Sequence, residues 1–126
     1  MLRKLSLGML LAAMLATVSL SRPGISVSIS PTMTAVTTGL DRNFTATVTG
    51  AMTTTAVNWF VSDIPGGDIN TVGSVDANGH YIAPAATPPG YTVSLKAVSV
   101  EDPTKFASTT IYVLNKAPTL AGMSNW

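Results

Sequence analysis

The sequence predicts an all-β sandwich of about seven antiparallel strands behind an export leader, and three observations carry that prediction. Apolar and small polar side chains alternate every second residue in short runs between Ile25 and Val113, while no window keeps the three-to-four-residue spacing of a helix. Clusters of Gly, Pro, Asn and Asp break the alternation at the intervals expected of short strands. The 126 residues include no cysteine, and 10% are charged against 46% hydrophobic. A single core must therefore be held together by burial of apolar surface without disulfides.

The chain opens with Arg3 and Lys4, continues as an apolar run from Leu5 to Val18, and reaches the small residues Ser19 and Ser21 before Arg22-Pro23. This is the layout of a signal peptide over residues 1–21, which predicts a secreted or cell-surface protein. The apolar run is shorter than the roughly 20 residues that cross a bilayer, so no membrane span is expected once the leader is removed. The absence of cysteine also excludes a lipid-modified cysteine at the cut.

Strands then follow in order. Ile25 to Ile29 alternates and stops at Ser30-Pro31; Phe44 to Val48 alternates and stops at Thr49-Gly50; Val57 to Val61 ends in the turn-rich stretch from Ser62 to Asp68. A short pair, Val72 to Val75 and His80 to Ile82, is split by Asp76-Ala77-Asn78-Gly79, where Asn-Gly favours a tight turn. Tyr91 to Ser99 and Ala107 to Val113 complete the set. The domain therefore spans 22–114, and 115–126, rich in small residues and without alternation, is a linker or tail ending in Trp126.

The formal charge of +1 includes the two leader cations. The mature chain has five cations, Arg22, Arg42, Lys96, Lys105 and Lys116, against six carboxylates, and is left at about −1. No nucleic-acid partner is expected of so weak a field. Thr and Ser occupy the outward strand positions where Lys and Glu are commoner, and β-branched Thr suits a solvated pleated surface. The inward set is Phe44, Ala46, Val48, Val57, Trp59, Val61, Val93, Leu95, Ala97, Ile111 and Val113. Trp59 is expected at the centre of that core.

Several segments in order carry a family resemblance: Val27 to Pro31, Phe44 to Gly50, Val57-Asn58-Trp59, Gly79-His80-Tyr81-Ile82-Ala83-Pro84, and Val93 to Ser99 before the Asp102-Pro103 turn. Together they resemble bacterial Ig-like domains of secreted and surface proteins, including the repeats of intimin-like and invasin-like adhesins. The resemblance covers nearly all of Ile25 to Leu114 and implies an immunoglobulin-like sandwich with an architectural or adhesive role. That family has no shared catalytic residues to carry over, and this sequence departs from its commoner pattern by carrying a single copy.

Candidate sites are few. Asp63, Asp68 and Asp76 lie in loops, where carboxylates can bind Ca²⁺, but their spacing fits no regular ligand pattern and they read as turn formers. Glu101 and Asp102 read as a solvated hairpin. His80 is the only histidine, with no nucleophile elbow in the sequence and no second histidine or cysteine for zinc. No catalytic residue, metal ligand or cofactor is therefore assigned. Phe60, opposite in phase to Trp59, and Tyr112 are the candidates for an exposed binding surface, with Tyr81 a third outward aromatic. Tyr91 is read as a tyrosine corner whose hydroxyl bonds nearby backbone. Asn43-Phe44-Thr45 matches a glycosylation pattern, read as coincidental beside a bacterial-looking leader.

The expected function is that of a non-enzymatic module, either a spacer or a weak binder of a cell-surface protein or glycan. An accessory carbohydrate-binding module and a filament subunit are the alternatives.

Overall fold

Alternation of small apolar residues with Ser and Thr gives the chain its first paired strands, β1 (Ser26–Ser30) and β4 (Thr45–Thr49), which run antiparallel with Ile29 and Val48 buried and the hydroxyls of Ser28 and Thr47 outward. The computed structural model describes residues 24–117. The expected leader over 1–21 lies outside the described residues, as does the tail beyond Ala117. No helix among the described residues is long and apolar enough to cross a membrane.

Between those two strands lie β2 (Thr34–Thr37) and β3 (Asp41–Asn43). They are followed by β5 (Val57–Val61), β6 (Ile64–Pro65), β7 (Gly67–Asp68), β8 (Gly73–Val75), β9 (His80–Ile82), β10 (Thr92–Ser99) and β11 (Phe106–Leu114). A five-stranded sheet has the order β2-β11-β10-β5-β6. Across the core lie the β1-β4 pair and a four-stranded sheet ordered β3-β9-β8-β7. Phe44 separates β3 from β4, so one run of chain pairs with β9 at its start and with β1 at its end.

All seven expected strands are present, and the structure adds β2, β3, β6 and β7. One pairing corrects the all-antiparallel expectation: β2 runs parallel to β11, with Val36 level with Val113. The chain changes layers five times, among them from β1 to β2 and from β6 to β7. After β1 it passes through Ser30-Pro31, a cis peptide, to join the opposite sheet as β2. After β6 it passes back, because the Gly66 N–H donates to the Trp59 carbonyl (3.0 Å) while the Gly66 carbonyl accepts from the Val75 N–H (2.9 Å).

The core joins both layers: Ile29, Phe44, Val75, Tyr81 and Ala83 face Val36, Trp59, Val61, Leu95, Ile111 and Val113. Of the expected inward set, Ala46 and Val57 are only partly buried and the rest are buried. The centre is Tyr81 rather than Trp59. Tyr81 and Phe44 are the largest fully buried side chains, packed edge to face with centroids 6.5 Å apart. Trp59 lies at the margin, 7% exposed. Tyr81, expected to face outward, is thus corrected to a core residue. Its hydroxyl donates to the Val72 carbonyl (2.7 Å), and burial pushes its pKa up to about 12. The backbone-tying role expected of Tyr91 belongs to Tyr81, since Tyr91 is 54% exposed in the 3-10 turn Pro89–Tyr91 with φ +61°.

Candidate functional site

Strand β5 places Trp59 and Val61 inward and Asn58 and Phe60 on the other face, because side chains alternate along a pleated strand. Beside it, the chain crosses between layers at Gly66 and Gly67, next to β5 and β8. A cleft of about 380 Å³ remains there, with Val57, Trp59, Phe60, Pro65 and Val75 as apolar walls and Asn58 and Asp76 as polar ones. A second cleft of about 230 Å³ adjoins it and brings in Thr45, Thr55 and Asn78. The two share Val57, Trp59 and Ala77.

Both walls of the smaller lobe are held by carboxylates. On one side, the Glu101 carboxylate accepts the backbone N–H groups of Met52 (3.0 Å), Thr53 (2.8 Å) and Thr54 (3.1 Å), and the Thr53 hydroxyl (3.0 Å). Those N–H groups hold its pKa down at about 2, far below the ordinary 4.5. Glu101, expected to be a solvated hairpin residue, is thus the anchor of the loop that carries Thr55.

On the other side, Asp76 closes its own turn, with Oδ1 accepting the N–H groups of Asn78 (2.9 Å) and His80 (3.0 Å). The His80 N–H, and then that of Asn78, hold the Asp76 carboxyl below its usual range. Gly79 completes the turn at φ +84°, where a side chain would be strained. A Cβ there would overlap the Phe44 carbonyl oxygen and lie 2.9 Å from Cζ2 of Trp59. The turn can therefore lie directly against the indole only because residue 79 is glycine.

Every buried side-chain polar atom among the described residues has a partner. The Trp59 indole borders both lobes of the cleft. Among the described residues, Asp76 is the one titratable side chain lining either lobe. The chemistry on offer is a hydrophobic wall edged by amide and hydroxyl groups and the single Asp76 carboxylate, which suits binding.

Phe60 is half-buried and lines the larger lobe, whereas Tyr112, 40% exposed, lies on the outer face of the same sheet, opposite Thr92 on β10 and Ala35 on β2. The two aromatics share a sheet without forming one patch. Nearer to Phe60 is Lys96, directly across the ladder, which pairs with Asp63 and lies 5.4 Å from the centroid of Phe106. Phe106 is 56% exposed; it follows Lys105 directly, where the turn signals of Asp102-Pro103 mask the start of the strand.

Away from the cleft, His80 Nε2 and Asp41 Oδ2 are 2.6 Å apart and link β9 to β3. That hydrogen bond keeps the Asp41 carboxyl below its usual range. Asp68 accepts the Asn70 N–H within its own turn. Among the described residues no three His, Cys, Asp or Glu side chains come together in a way that would hold a metal ion. No protein-family model matches the chain, and no curated protein matches it significantly.

Proposed function

We propose that this chain is a non-catalytic, immunoglobulin-like module of a secreted or surface protein, acting as a spacer that holds its neighbours apart and offers a binding surface on its side. The observation that carries this reading is the direction of the first and last strands. β1 starts level with Thr49, β2 runs parallel to β11, and β11 ends where Leu114 receives the Thr38 N–H (2.9 Å). The described chain thus enters at one end of the sandwich and leaves at the other. Nine residues of β11 correspond to about 30 Å of rise, the length such a module would add to a linear array.

The immunoglobulin-like assignment is supported by the pairing order. One layer reads β1, then the β3–β4 run, then β9 and β8; the other reads β5, β10 and β11, with the Trp on β5. These are the two-layer orders of immunoglobulin sandwiches, in which a Trp on the third strand is characteristic. Small-angle scattering of two copies of residues 22–126 fused head to tail tests the spacer role. An elongated particle about twice as long as the single module is expected. A fusion that folds back on itself, or hydrolysis of a glycan or peptide that is lost on His80→Ala, would overturn the reading.

A further inference from the structure

We propose that the two-lobed cleft over Trp59 is a binding site for a neutral oligosaccharide. The inference deepens the binding half of the reading above and is independent of the spacer geometry.

Three features of the cleft point to this ligand class. First, it is amphiphilic along its length: Phe60, Pro65 and Val75 line the larger lobe, while Thr45, Thr55 and Asn78 line the smaller one. A sugar ring has the matching character, with a C–H face that packs on apolar side chains and a rim of hydroxyls that both donate and accept. Second, among the described residues no Lys or Arg lines either lobe, and the one carboxylate there, Asp76, has Oδ1 committed to two backbone N–H groups. An anionic ligand would find no countercharge there. Third, the amides of Asn58 and Asn78 line the cleft as neutral donors and acceptors of the kind that read hydroxyls.

The site is also preorganised. Glu101 fixes the Met52–Thr54 loop, and the Asp76 turn is fixed by its own side chain, so little order remains to be imposed on binding. The larger lobe, at about 380 Å³, is in the range of small-ligand sites, and the joined lobes extend it for a chain of more than one ring.

The sequence has two tryptophans, so Trp126→Phe leaves Trp59 as the only indole N–H signal in an ¹⁵N spectrum. The full chain carrying that change is titrated with cellohexaose, xylohexaose, maltohexaose and hexa-N-acetylchitohexaose to millimolar concentration. At least one is expected to shift the Trp59 signal saturably, and Asn58→Ala and Phe60→Ala are each expected to weaken that binding about tenfold, the effect of roughly one lost hydrogen bond or packing contact. Both variants should keep the dispersed spectrum of a folded chain. The proposal is overturned if none of the four sugars moves the signal, or if binding persists at full strength in both variants. The scattering result on the fused pair is unaffected by any of these outcomes, so the two readings fail separately.

Discussion

The sandwich is stitched together at both of its long edges by chain that changes layers, yet one edge is closed and the other holds a cleft. At the β1–β2 edge the crossing is flanked by buried Ile29 and Val36, and the Met33 N–H donates to the buried Thr109 hydroxyl (2.9 Å). Apolar side chains on both sides of the crossing fill the gap. At the β6–β7 edge the crossing consists of two-residue strands around Gly66 and Gly67, and backbone hydrogen bonds do the stitching without side chains to pack beneath them. The lesson is that closing a sandwich edge takes apolar anchors as well as hydrogen bonds. Where the anchors are missing, the rim of Trp59 borders a cleft edged by Asn58, Asp76 and Asn78.

Substitutions at the two edges should separate these roles, and the largest effect is expected at the cleft. Gly79→Ala forces a side chain into positive φ and against the Phe44 carbonyl, which should cost about 3–5 kcal/mol in chemical denaturation. A stability close to that of the parent would mean that the turn does not rest on Trp59 as described. At the closed edge, Val36→Ala opens a cavity under the crossing and should cost about 1–3 kcal/mol. No loss there would erase the contrast between the edges.

Tyr81→Phe removes the one side-chain bond to Val72, on the chain leading into β8, and should cost about 1–2 kcal/mol while the ring packing survives. Glu101 gives a pH signature. Its folded pKa lies below the ordinary value, so its contribution is complete above about pH 4.5 and is lost as the pH falls through about 2. The melting temperature should therefore fall over that window, and Glu101→Gln should flatten the fall. Asp41 and Asp76, also held low, keep it from vanishing. The smallest effect on stability is expected for Asn58→Ala, within about 0.5 kcal/mol in the same denaturation assay, because the residue is exposed.

Much of this architecture is legible in the sequence because alternation over five or more residues fixes which side chains face inward. Leu95, Ala97, Ile111 and Val113 follow directly from it. Three-residue strands carry no such phase: in His80-Tyr81-Ile82 the tyrosine could face either way, and its burial is decided by the Phe44 ring across the sheet. Strands β6 and β7 hide inside a stretch of turn residues because two residues suffice to pair at an edge. Of the cleft, the outward phase of Phe60 could be read in advance. The Glu101 clamp could not, since its partners lie 47 to 49 residues away and a lone Glu before Asp-Pro gives no sign of them.

The central claim, that the chain enters and leaves at opposite ends, can be measured directly because the sequence has no cysteine of its own. Spin labels on Ser26→Cys and Asn115→Cys, both at exposed positions, report the distance between the two ends by pulsed electron paramagnetic resonance. A single distribution centred near 30 Å is predicted, the rise of a nine-residue strand. A distribution centred below about 15 Å would place entry and exit together and contradict the spacer geometry.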